Sequence, residues 1–183
     1  EYVCDCSDID DVIVFRKDGT YSVSKVSSKA FFGKNILHVA VFRKNDDRKT
    51  YNAVYTDGKS KKTYAKRFHV TSITRDKEYN ITKGAPDSKL HYFTVNPNGE
   101  AEVINVYLHS AAKARNKLIE YDFADLQIKG RASLGNMVTK HPIRKVDLKE
   151  KGVSTLSGRD IWYEKNIGRL NVHERGDYLG SFH

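Results

Sequence analysis

A β run, a tight turn and a basic return run recur along this chain, and that unit limits its fold more than any other feature. The clearest copy is 51–70, YNAVYTDGKSKKTYAKRFHV. Ala53, Val54 and Tyr55 favour a strand, Asp57-Gly58 is a strong two-residue hairpin signal, and Thr63 to Val70 favours a second strand. Alternation along the return strand puts Lys62, Tyr64, Lys66, Phe68 and Val70 on one side and Lys61, Thr63, Ala65 and Arg67 on the other. Neither side is cleanly apolar, so the hairpin is expected to offer a solvated, cationic tip suited to phosphates.

Related units follow the same plan. VIVFRKDGTYSVSKV (12–26) turns at Asp18-Gly19, HYFTVNPNGEAEVINVYL (91–108) at Asn98-Gly99, and DIWYEKNIGRLNV (160–172) between Asn166 and Gly168, with LQIKGRASLGNMV (126–138) as a looser copy. The marker glycines Gly19, Gly58, Gly99, Gly130 and Gly168 lie 39, 41, 31 and 38 residues apart. A period near forty in strand-plus-turn units favours a propeller-like or solenoid array over a sandwich, although evenly spaced turns also occur in other all-β chains.

Between the units, Ser27 to Asn35 reads as a loop whose Phe31 and Phe32 should bury against the first hairpin, and Ile36 to Phe42 as a strand. The stretch from Thr74 to Lys89 reads as a long connection with at most one short strand. Ala111 to Lys117 has helix-forming composition but is too short for more than a turn or two. Strands are expected over Leu118–Phe123, Ile128–Val138 and Ile143–Leu148, and a loop over Lys149–Gly158. Tyr2 and Val3 are read as completing a strand in an acidic lead-in.

Charge narrows the partner. The 183 residues carry a formal net charge of +9, and a folded domain of that sign suits a polyanion. No apolar run approaches the ~20 residues that cross a bilayer, so no membrane partner is expected. The chain opens on Glu1 rather than Met and reads as a piece of a longer protein. Cys4 and Cys6 sit two apart on an expected strand, unsuited to a disulfide and consistent with a reducing cytoplasm.

Catalytic motifs are missing. Gly58-Lys59-Ser60 imitates the end of a phosphate-binding loop, but Ala53 stands where the pattern needs glycine, and a strand follows where it needs a helix. The histidines lack metal-ligand spacing, and the acidic cluster Asp8, Asp10, Asp11 reads as a solvated lead-in, so no metal site is expected.

The segments DVIVFRKDGTYSVSKV, VYTDGKSKKT, KGRASLGNMVTKHPIRKV and IWYEKNIGRLNVHERGDYLG resemble blades of the C-terminal domain of the A subunit of bacterial type IIA topoisomerases. The resemblance spans essentially the whole chain and is closest to the A subunit of topoisomerase IV of the Bacteroides type, with the A subunit of gyrase sharing the plan. It implies an all-β fold, a β-pinwheel of four-stranded blades numbering about three to four here, as a single DNA-binding domain over 1–183. It implies duplex DNA as partner, bent around a basic rim, and assembly with the remainder of the A subunit and the ATPase B subunit in a heterotetramer. The arginine-tyrosine pair of DNA cleavage is missing from this sequence, so catalysis, ATP and magnesium are expected elsewhere, with no cofactor in this segment.

Gyrase carries a seven-residue box of glutamine, two arginines, two glycines, lysine and glycine. The nearest counterpart is 129–135, where Lys129, Gly130, Arg131 and Gly135 keep part of its character and Ala132, Ser133 and Leu134 do not. The degenerate box favours topoisomerase IV over gyrase; a propeller-like protein-binding scaffold is a further alternative. Expected phosphate contacts are Lys59, Lys61, Lys62, Lys66 and Arg67 on the central unit and Lys129, Arg131, Lys140, Arg144 and Lys145 on the later one.

Overall fold

The computed structural model describes residues 2–156 and 159–174. The first sheet runs β3-β1-β2-β6, from β1 (Asp11–Arg16), β2 (Thr20–Lys25), β3 (Ile36–Phe42) and β6 (Glu78–Asn80). β1 and β2 form the expected hairpin, with Phe15 opposite Tyr21. Gly19, at φ +84°, closes its turn by donating its N–H to Arg16 O at 3.0 Å, a conformation glycine adopts without penalty.

The second sheet is central. β4 (Thr50–Thr56) pairs with β5 (Thr63–His69) and β7 (Lys89–Asn96), while β10 (Ile128–Gly130) and β11 (Asn136–Thr139) lie end to end along the outer edge of β5. The third sheet is β12-β8-β9, from β8 (Glu100–Leu108), β9 (Leu118–Asp122) and β12 (Ile143–Ser154). A two-stranded sheet follows from β13 (Arg159–Glu164) and β14 (Arg169–Glu174), the expected last hairpin. One 3₁₀ turn, Phe123–Asp125, is the helical element among the described residues.

Alternation explains the stacking. Tyr51 and Ala53 of β4, with Phe68 of β5, join Ile13, Phe15, Tyr21 and Val23 of the first sheet in one core. Val54 and Ala65, on the opposite face, join Ala101, Ile104, Val106 and Phe123 in a second core with the third sheet. The ring of Phe15 lies 4.7 Å from those of Tyr51 and Phe93, knitting the first core across sheets. Burying such a side chain is worth about 1.5–3 kcal/mol. The central hairpin is therefore covered on both faces.

Several expectations are corrected. Asp57-Gly58 is not a two-residue turn: β4 and β5 are joined by the loop 57–62, which has Lys61 at φ +55° and Lys61 N–H bonded to Asp57 O. β7 and β8 turn sharply at Gly99 but do not pair; they enter different sheets. β10 and β11 likewise pair with β5 rather than with each other. β12 extends to Ser154, beyond the strand expected to end at Leu148, because it follows β8 through register shifts with Gly152 laid against Ala101, where a Cβ would overlap the backbone. Residues 2–6, with Tyr2, Val3, Cys4 and Cys6, lie in no strand, whereas residues 109–117 form turns and Cys4 and Cys6 are free, both as expected. Phe31, expected to bury, is 89% exposed. The closing residues 175–183 lie outside the described residues.

Candidate nucleic-acid interface

Strand register gathers cations at one end of the central sheet. Thr139, Thr63, Thr56 and Lys89 align across β11, β5, β4 and β7. Beyond that row lie Lys140 after β11 and Lys59, Lys61 and Lys62 in the loop 57–62, all exposed, with Lys89 exposed at the start of β7. Two clusters that are separate in sequence, 59–62 and 140, are thus neighbours in the fold. Lys89 joins them although nothing in its local sequence marks it. Among the described residues no ion pair engages these lysines.

The loop that carries them is built rather than slack. The Asp57 carboxylate accepts the Ser60 N–H at 2.7 Å, and this bond holds its acidity stronger than usual. Gly58 donates its N–H to Ser88 Oγ at 3.0 Å, and a Cβ there would overlap Pro86 O. Beneath the loop, Thr56 Oγ1 contacts Thr63 Oγ1 at 3.0 Å and His91 Nε2 at 2.9 Å. Burial, with Lys89 nearby, pulls the His91 pKa down to about 4, so its imidazole is neutral.

Lys66 and Arg67 are not surface cations, contrary to expectation. Lys66 is 1% exposed and donates to Ile81 O at 2.9 Å, Arg131 O at 2.9 Å and Ser133 O at 2.8 Å. Its ammonium also lies 4.7 Å from the centroid of the Phe68 ring. Arg67 is 3% exposed and donates to Phe123 O, Leu126 O, Gly99 O and Thr155 Oγ1. Both faces of β5 are covered by neighbouring sheets, and each cation satisfies carbonyls that the strand ladders leave open. Their role is to hold distant segments together.

The degenerate box, 129–135, is held along its arch from Arg131 to Leu134. Tyr55 Oη donates to Leu134 O at 2.7 Å and Lys83 Nζ to Ala132 O at 2.8 Å, so with Lys66 every carbonyl from Arg131 to Leu134 has a side-chain donor. Gly135, at φ +91°, passes so close to Ala65 that a Cβ would overlap its carbonyl. Lys129 is exposed, whereas the Arg131 guanidinium lies 4.2 Å over the Tyr79 ring and its Nε donates to Ser72 O at 3.3 Å. Arg144 and Lys145 are exposed on β12, but Lys145 pairs with Asp147, and Lys149 on the same strand pairs with Glu120 and Glu150. Acidic partners thin the positive field of that strand.

The family model of the topoisomerase C-terminal domain of Bacteroidota matches residues 2–151. The chain belongs to that family. No curated protein and no solved structure matches it. The match embraces the three stacked sheets almost entire, the lysine-bearing end of the central sheet and the degenerate box, and it agrees with the likeness carried by the blade-like segments. A topoisomerase C-terminal domain is an accessory region, and DNA and the other topoisomerase subunits are its partners in general terms. Among the described residues no helix is long and apolar enough to cross a membrane.

Proposed function

We propose that this chain is the non-catalytic DNA-binding and DNA-bending domain of a type IIA topoisomerase, in the A subunit of topoisomerase IV. The observation that carries the reading is the group Lys59, Lys61, Lys62, Lys89 and Lys140, exposed and unpaired among the described residues at one end of a rigid sheet. Exposed ammonium groups gathered at one sheet end by strand register neutralise phosphates and release counterions without reading bases. Arg144, four residues after Lys140, would extend the track, while Lys129, opposite Phe68 toward the other end of β5, would be a separate contact. Bending a 20–30 bp segment costs roughly 1–6 kcal/mol, which added phosphate contacts along a curved surface offset.

The sheets are read as blades of a β-pinwheel. That reading is supported by strands that join a sheet out of sequence order: β6 enters the first sheet after β4 and β5 have formed the second, and β10 and β11 enter the second after β8 and β9. In the proposed holoenzyme the remainder of the A subunit and the ATPase B subunit supply cleavage, ATP and magnesium, in the bacterial cytoplasm.

Anisotropy titrations of a duplex at rising salt test the proposal. The log–log slope is expected to steepen by about 0.9 per phosphate neutralised. Reversing Lys59, Lys61, Lys62 and Lys140 together to Glu should flatten it by about 3 to 4. An unchanged slope would place the contact surface elsewhere.

A further inference from the structure

At Lys66 the outer edge of β5 is open. β11 pairs with Thr63 to Ala65 and β10 with Arg67 to His69, and residues 131–135 arch between them. A cavity of about 290 Å³ lies there, walled by Lys66, Arg67, Asp125, Gln127, Lys129 and Ser133 among others. That volume is at the small end of ligand pockets, which run from ~300 Å³ upward.

The wall carries more positive charge than the fold balances. Lys66 and Arg67 are both buried, and among the described residues neither forms an ion pair. Asp122 and Glu102 act on Arg67 only through space, and Lys83 adds repulsion at Lys66. Asp125, the carboxylate on the wall, is exposed. Buried charge of one sign without a counter-ion is strongly unfavourable, and carbonyl dipoles compensate it only in part. Two donors on wall residues are also unused: Arg67 Nε and Ser133 Oγ are buried and make no hydrogen bond.

We propose that this cavity is an oxyanion site that takes a phosphate group. Ser133 Oγ, Arg67 Nε and the exposed Lys129 ammonium are its donors, and Lys66, whose hydrogens are already committed to Ile81, Arg131 and Ser133 carbonyls, contributes charge from behind. Asp125 distinguishes two sources of the group. A free phosphate or monoester in its monoanionic form brings an O–H to donate to that carboxylate, whereas a phosphodiester of a nucleic-acid backbone has none and meets it as a repulsive rim. The site follows from the charge balance and does not rest on the DNA reading.

The test is a ³¹P NMR titration of the full chain with inorganic phosphate at fixed ionic strength and pH 6.5, below the Lys66 pKa of about 7. Saturable binding is expected, weakened about tenfold or more when Lys129→Gln and Ser133→Ala are combined, since each removes a donor to a charged acceptor. Lys149→Gln, on β12, should leave it unchanged. A linear, unsaturable response, or a double variant that binds phosphate as the parent does, overturns the proposal. With the site occupied, adding duplex DNA assigns the source. Release of bound phosphate, with Asp125→Asn tightening DNA, gives the site to a backbone phosphodiester; retention of phosphate, with Asp125→Asn weakening it, gives the site to a free phosphate or monoester. Failure of the DNA reading would show instead in the salt slope of the lysine reversal, which leaves this cavity intact.

Discussion

Replacing Lys66 by Met removes a buried charge while keeping the length and bulk of the side chain, and its effect should depend on pH in a defined direction. Burial, with Lys83 adding repulsion, pulls the Lys66 pKa from the ordinary 10.5 down to about 7. Between those values the unfolded chain holds the proton and the folded chain releases it, so stability rises with pH. Below about pH 7 both states are protonated and the contribution is flat. Each pH unit inside the window is worth about 1.36 kcal/mol, so the rise from pH 7 to 9 is roughly 2–3 kcal/mol and the whole interval roughly 5 kcal/mol. Lys66→Met abolishes this slope. It also strips donors from the carbonyls of Ile81, Arg131 and Ser133, at about 1–3 kcal/mol for each left unsatisfied, while relieving the desolvation of the ammonium. Those two effects oppose one another, so the absolute stability of the variant is a weak diagnostic and the difference between two pH values is a strong one. Tyr21, pushed up to about 12 by burial, and Tyr51 and Tyr55, pushed higher still, keep their protons in the folded chain throughout the window, and their release from the unfolded chain near pH 10 is common to parent and variant. Urea unfolding of parent and variant at pH 6.5 and 9.0, followed by circular dichroism, should show the parent gaining roughly 2–3 kcal/mol on the variant at the higher pH. Parallel pH profiles would refute the reasoning and return Lys66 to an ordinary surface ammonium.

Gly135→Ala should destabilise the chain by about 1–3 kcal/mol, because it strains a φ of +91° and drives a Cβ into Ala65 O; thermal melting checks it, and an unshifted midpoint would mean the 131–135 arch adapts freely. His91, held neutral by burial with a pKa near 4 against an ordinary 6.5, makes stability fall as pH drops from 6.5 toward 4. His91→Gln should flatten that acid limb by roughly 1 kcal/mol after allowing for solvent screening, as read by urea unfolding at pH 7 and 4.5. Ligation of nicked circles in the presence of the chain should give clear bending with a small linking-number shift, because the box at 129–135 retains only part of its basic character. A large saturating shift would make the A subunit of gyrase the better assignment.

Local chemistry was enough for the sequence by itself to determine the all-β class and two of the expected hairpin turns. Asp18-Gly19 and the turn at 165–168 hold their hairpins where expected, and the single short strand between Thr74 and Lys89 is β6. The likeness to a topoisomerase C-terminal domain was equally legible, since it resides in contiguous segments of sequence. Pairing partners were not. Asn98-Gly99 dictates a reversal of the chain, but the competition among open ladder edges sent β7 to the central sheet and β8 to the next. The same limit governed the basic residues. Period-2 geometry assigns Lys66 and Arg67 to opposite faces of β5, yet says nothing of whether either face is covered. Only tertiary structure brought carbonyls from 15 and more residues away to meet them, turning two expected DNA contacts into interior clamps. It also placed Lys140 and Lys89 beside Lys59 to Lys62, because register between strands far apart in sequence decides which exposed charges share a surface. A side chain's face is a local property of the backbone, whereas its burial and its neighbours depend on segments that meet only when the sheets stack.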